Sequence, residues 1–309
     1  MTRIVLSLTI IAALYTPISQ AKEQLNVLST INPVHALVTA IAGDLAKSKQ
    51  IIPNNASPHH YSLKPSDLRK LYSADLIFRI DPELESFLDK SLRSVSQKKI
   101  ITLSESSDLV KLAVTTQHEH RHGEEDEDNH KTNEEPTTLD YHLWLNPENA
   151  IAMAHTIQNT LIATAPEHKD QFITNTQQLV NNIRDTDKKI TQQLEAVKET
   201  PFLVMHDAWQ YFTTHYQLKQ LGTISAQERL KPSAKALLKA KKTIIDSDVK
   251  CLITEPNLKR KTLNLLTGGL EINVTEIDPL GREIPQSNLA YPQLLQYTAD
   301  KLLNCLEKK

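Results

Sequence analysis

From Pro166 to Glu199 the chain runs without an internal proline or glycine, and its apolar residues fall on one stripe. Phe172, Leu179, Val180, Ile183, Ile190, Leu194 and Val197 recur at helical spacing. Pro166 opens the segment and Pro201 closes it. A helix of about 33 residues would be roughly 50 Å long. Such an element can run the length of a two-lobed molecule, and we read it as a rigid connecting helix. Two shorter helices with a kink are the alternative.

The sequence on both sides of this segment alternates strand and helix. Before it, QLNVLST, KQIIP, LIFRID and KKIITLSE read as strands. PVHALVTAIAGDL, KPSDLRKLYSADL and PELESFLDKSLR read as helices between them, followed by a strand at DYHLWLN and a helix at PENAIAMAHTIQNTLIATA. After it, PFLVMHD, LKQLGTIS, VKCLITEP and EINVTEIDP are strands, with four further helices completing the half. Strand and helix taking turns implies parallel strands with crossover helices. The expected fold is therefore α/β: two doubly wound lobes joined by one long helix, with the ligand site in the cleft. The expected boundaries are 22–165 for the first lobe, 166–199 for the linking helix and 200–309 for the second lobe.

Residues 1–21 read as a cleaved signal peptide. Arg3 supplies the positive start, Ile4 to Leu14 the apolar stretch, and Ser19 and Ala21 the small residues before the cut. An uncleaved anchor is the alternative. No later run of eighteen apolar residues follows, so no membrane anchor is expected in the mature chain. Export without an anchor suits a periplasm. That compartment is oxidising, so the two cysteines, Cys251 and Cys305, are expected to pair. Two free buried thiols are the alternative.

Composition narrows the chemistry. The chain has only 6 glycines, and none can form G-x-G-x-x-G or G-x-x-x-x-G-K-[ST]. No glycine-rich loop cradles a phosphate, which argues against a dinucleotide-dependent dehydrogenase or a P-loop NTPase. The formal charge of −2 hides an asymmetry. The stretch from His118 to Glu135 carries eight acidic residues against Arg121 and Lys131, whereas the rest of the mature chain has 32 basic and 29 acidic residues. Neither part has the basic footprint of a nucleic-acid surface. Residues 115–138 lack periodicity and apolar side chains, and we read them as a disordered acidic loop.

The 12 histidines point towards metal if some of them converge. Open α/β sheets bind ligands outside the carboxyl ends of their strands. Four metal-capable residues occupy that place: His59 after KQIIP, His142 in DYHLWLN, His206 at the end of PFLVM, and Asp278 after INVTEI. Two come from each half, so facing lobes could close them around one ion. Three imidazole nitrogens and one carboxylate oxygen suit zinc, whereas an all-oxygen set would suit magnesium, calcium or manganese. Each histidine alone could be a structural hydrogen-bonder, and Asp278 before proline could start a turn. Repetition of the strand–ligand–helix pattern favours a site. His60 could substitute for His59. Asp207 and Glu255 lie near the ligands in sequence and could orient the imidazoles. Trp144 and Trp209 lie two or three residues from expected ligands.

SPHHYSLKPSD, YHLWLNP, MHDAWQYF, ITEP and IDPLG, in this order, resemble the cluster A-I solute-binding proteins of metal ABC transporters. Their zinc branch, the periplasmic high-affinity zinc-uptake components, is the nearest match. The resemblance covers essentially the whole mature chain. It implies two α/β lobes on one rigid helix, a metal in the cleft, and ligand roles for His59, His142 and His206. Manganese-binding members of the family usually place Glu where His206 stands. Asp278 matches the family's carboxylate in IDPLG, with water as the other fourth ligand. Some zinc-branch members carry an acidic residue just before the first histidine; here Pro58 stands there. The family also allows auxiliary zinc binding by His118, His120, His122 and His130.

The expected function is thus a monomeric periplasmic Zn²⁺ carrier. It would hand zinc to an inner-membrane ABC permease with its ATPase, and would perform no reaction. A manganese-binding homologue and a periplasmic zinc hydrolase are the alternatives. For the hydrolase, H-E-x-x-H is absent and Glu255 is the obvious candidate base.

Overall fold

The computed structural model describes residues 24–54, 56–114, 139–225, 232–256 and 258–307. The signal-peptide reading, the acidic loop at 115–138 and its four histidines lie outside the described residues, as does the His60 side chain.

Two four-stranded sheets form the frame. The first contains β1 (Leu25–Ser29), β2 (Ala46–Gln50), β3 (Leu76–Arg79) and β4 (Ile100–Thr102), in the order β2-β1-β3-β4. The second contains β5 (Phe202–His206), β6 (Gln220–Ser225), β7 (Cys251–Thr254) and β8 (Asn273–Glu276), in the order β6-β5-β7-β8. Every pairing is parallel. Both sheets therefore change winding direction at the same place, between β1 and β3 and between β5 and β7. In such sheets that crevice is where ligands sit.

The strands obey parallel-sheet chemistry. Every residue of β5 is buried, as is every residue of β7. Alternate residues serve different faces: Phe202 and Val204 join the large core, and Leu203 and Met205 join a smaller cluster. That smaller cluster lies under α7 (Ala234–Asp246) and α8 (Arg260–Thr267), which contribute Ile244 and Leu266.

The helices start where the sequence places their caps. In α1 (Asn32–Ala42), Pro33 stands in the first turn, and Gly43 ends the helix at φ +51°. In α4 (Pro147–Thr164), Pro147 opens the helix and the Asn146 side chain accepts the N–H groups of Glu148 and Asn149. The linking element consists of a 3₁₀ turn at Pro166–His168, α5 (Lys169–Leu194) and a second 3₁₀ turn at Glu195–Val197. The stripe Phe172, Leu179, Val180, Ile183, Ile190 and Leu194 is buried. It packs against α1, α4 and the final helix α9 (Ala290–Glu307). Thus α9, which ends the second lobe, also lies on α5 and α1.

Cys251 on β7 and Cys305 on α9 form a disulfide with Cα atoms 5.6 Å apart. It staples α9 to the second sheet and closes a 54-residue separation. The loop-entropy relation makes such a bridge worth roughly 4 kcal/mol.

Two local expectations need correction. DYHLWLN is not a strand. Leu139 makes one isolated bridge to Ala113, and Leu143–Leu145 form a 3₁₀ turn. PELESFLDKSLR is helical only in short pieces, a 3₁₀ turn at Ser86–Leu88 and α3 (Asp89–Leu92). Two further helices complete the chain, α2 (Pro65–Ser73) and α6 (Gln210–His215).

Candidate metal centre

Three of the residues singled out in the sequence meet in the cleft. His59 sits in a 3₁₀ turn, Pro58–His60, that follows β2. Ser57 starts this turn, its hydroxyl accepting the His59 N–H at 3.3 Å. His142 caps the 3₁₀ turn before α4. His206 is the last residue of β5, at the winding switch of the second sheet.

The three rings form a near-equilateral triangle. Their centroids are 5.5 Å apart for His59–His142, 5.6 Å for His59–His206 and 5.3 Å for His142–His206. Each ring offers one nitrogen, and these atoms all lie within 4.8 Å of one another. A tetrahedral zinc ion would draw such donors to roughly 3.4 Å separations. The rings face a cavity of about 20 Å³, room for one small ion. Pro58, Trp144, Glu255, Asp278, Pro279 and Arg282 also line it.

Carboxylates settle which nitrogen faces inward. His142 Nδ1 lies 2.7 Å from Asp140 Oδ1, and His206 Nδ1 lies 2.8 Å from Glu255 Oε1. A carboxylate only accepts, so each Nδ1 carries the proton and each Nε2 lone pair is turned to the cavity. Glu255 immediately follows β7, beside β5, so the winding switch itself brings it to His206.

Asp140 is held just as firmly. Its Oδ1 also accepts the His142 backbone N–H at 2.9 Å, and its carbonyl accepts the Tyr211 hydroxyl at 2.9 Å. Tyr211 lies on α6, so a second-lobe helix braces the carboxylate residue that holds a first-lobe histidine. Of the two carboxylates expected near the histidines, Glu255 is the one placed against His206 Nδ1. Asp207 lies just past the end of β5, half-buried. Asp140 was not anticipated, although the D-x-H spacing of residues 140–142 carries an Asx-turn signal.

Asp278 stands on the cavity wall with its carboxylate already engaged. Oδ1 accepts the Leu280 N–H at 3.1 Å, and Oδ2 accepts the Arg282 N–H at 2.7 Å. Burial raises its carboxyl above the usual range, and the Arg282 contacts oppose that rise. The Asp278–Arg282 turn closes with the Gly281 N–H on the Asp278 carbonyl at 3.1 Å. Gly281 has φ +61°, and a Cβ there would come 2.7 Å from Leu294 Cδ1. The turn docks on the first lobe: Asn32 donates to the Leu280 and Gly281 carbonyls at 2.9 Å, and the Trp144 indole to the Pro279 carbonyl at 2.8 Å. The Trp144 ring centroid is 5.3 Å from that of His142.

Three imidazoles converging on one point, two of them with outer nitrogens fixed by carboxylates, form a site for a borderline-soft divalent cation. Among the described residues, no helix is long and apolar enough to cross a membrane. A family model described as the periplasmic zinc-uptake complex component A, ZnuA, matches residues 27–305. The high-affinity zinc uptake system protein ZnuA of Haemophilus ducreyi is 33% identical over 289 residues, covering 91% of this chain and 93% of that protein. A crystal structure of ZnuA shares the fold with a TM-score of 0.77 at 22% identity, over 92% of this chain and 100% of that one. A zinc-bound ZnuA deletion mutant does so with a TM-score of 0.75 at 21% identity, over 93% and 100%. The chain belongs to the ZnuA family of periplasmic zinc-uptake components.

Proposed function

We propose that this protein captures Zn²⁺ in the periplasm and delivers it to an ABC permease, driven by its ATPase, in the inner membrane. The observation that carries this reading is the triangle of His59, His142 and His206 with carboxylates on the outer nitrogens of two of them. Zinc takes the three imidazoles, and Asp278 is the carboxylate that completes the tetrahedron when the ion's charge draws it from its present partners. A closed four-ligand site gives a carrier and no reactive hydroxide. Residues 22–165 and 200–309 act as the two lobes and 166–199 as their connector, after loss of residues 1–21, and the carrier works as a monomer. The acidic histidine loop adds auxiliary sites of lower affinity.

The test is a metal-competition titration of the full mature chain, followed by tryptophan fluorescence, with metal stoichiometry measured alongside. One tight zinc per chain is expected, reported by Trp144 beside His142. Deleting residues 118–130 should leave that tight site in place and remove only weaker binding. Loss of all tight binding on this deletion would move the principal site to the loop and overturn the assignment.

The orienting carboxylates have a separate signature. Glu255→Gln and Asp140→Asn keep the shape but abolish the charge that fixes each Nδ1 proton. Each should weaken zinc binding about 10–100-fold in the same titration. An unchanged affinity would mean that the imidazoles are oriented by packing alone.

A further inference from the structure

The cavity wall also carries a cationic side chain. Arg282 lines the same cavity as the three histidines, and its Nε lies 3.1 Å from Asp278 Oδ2. Its side chain is 16% exposed and that of Asp278 is 6% exposed, so solvent screens this pair little. The backbone around it is fixed by the Gly281 turn. It is also tied to the segment leading to His59, because Asn54 donates to the Arg282 carbonyl at 3.1 Å. The two backbone N–H groups on Asp278 therefore stay in place, and the guanidinium is the partner that a side-chain rotation can remove.

We infer that Arg282 is a specificity-determining residue that weakens Asp278 as a metal donor, and so disfavours hard cations such as Mn²⁺ more than it disfavours Zn²⁺. The inference rests on the reading that the three imidazoles bind the cation. It follows from what each ion needs. Zinc is well served by the three imidazole nitrogens, so a weakened fourth ligand costs it little. Manganese draws its affinity from carboxylate, carbonyl and water oxygens. A carboxylate ion-paired with a guanidinium is a poorer donor, and weakening it removes more from manganese than from zinc. Discrimination then comes from weakening the competitor's best ligand as well as from strengthening the preferred ion's. Arg282 acts through Asp278, so it is a positioning residue.

The experiment measures Zn²⁺ and Mn²⁺ affinities of the full mature chain, with free Mn²⁺ followed by electron paramagnetic resonance. Arg282→Gln should raise Mn²⁺ affinity relative to Zn²⁺ by at least about tenfold. Adding Asp278→Asn to Arg282→Gln should abolish that gain, and Arg282→Lys should keep the wild-type ratio. If both metals shift by one factor, Arg282 acts only as a general charge and the inference fails. If both weaken together, Arg282 only supports the turn, and the inference fails again. The underlying reading fails separately, if wild-type protein lacks a tight zinc site that His206→Ala removes.

Discussion

Replacing His206 by alanine is expected to lower zinc affinity by at least about a hundredfold, or roughly 3 kcal/mol. The imidazole supplies one of three donors within 4.8 Å of one another, and its ring is pre-set by Glu255 at 2.8 Å. A pre-oriented ligand spends little entropy on binding, so its removal costs nearly its full contribution. His142→Ala should behave alike, for the same reason at Asp140. Truncating His206 also leaves the Glu255 carboxylate buried without its partner, at about 1–3 kcal/mol of metal-free stability. The double variant His206→Ala/Glu255→Gln should regain that stability in urea unfolding while zinc binding stays lost. His155, exposed on α4, serves as the control, and its alanine variant should bind like wild type. Wild-type affinity in His206→Ala would remove the cleft from the function altogether.

The site was legible in the sequence to the extent that it depends on chain order. His59 follows one recognisable strand and His206 ends another, and alternation of strand with helix places strand ends together. His206 could be located because PFLVMH is a continuous apolar run ending in a polar residue, the mark of a strand buried on both faces. Around His142 the strand pattern misleads. Tyr141, Leu143 and Leu145 alternate like a strand, yet Leu143, Trp144 and Leu145 are all buried. The segment is enclosed on all sides, so its hydrogen bonds close locally, from Leu145 N–H to the His142 carbonyl and from Asn146 N–H to the Leu143 carbonyl. The imidazole orientation was less legible, because Glu255 reaches His206 across 49 residues through the pairing of β5 with β7. The state of Asp278 was not legible at all. Proline after it and glycine soon after announce a turn, but the closure that brings Arg282 beside the carboxylate depends on the docking of that turn against Asn32.

Glu85 makes the second large effect, on stability. It lies beyond β3, at the carboxyl end of the first sheet, fully buried. One carboxyl oxygen accepts the Asp81 N–H at 3.1 Å. Burial pushes its carboxyl from the usual 4.5 up to about 8, while Thr30, the backbone N–H of Asp81 and Arg79 pull it down. In the folded protein this group is therefore protonated near neutrality, whereas in the unfolded chain it is ionised. Folding then takes up a proton, and stability must fall as pH rises through the interval between the two values. Its contribution is full below about 4.5, declines up to about 8 and is flat above that. The loss across the interval is of the order of a few kcal/mol. Glu85→Gln keeps the shape without the charge, so it should remove this slope and be the more stable form at pH 8. Urea unfolding of the metal-free protein at pH 5, 6.5 and 8 reads it directly. The wild type should lose more stability than the variant over that range, and parallel curves would show that Glu85 is ionised in the fold.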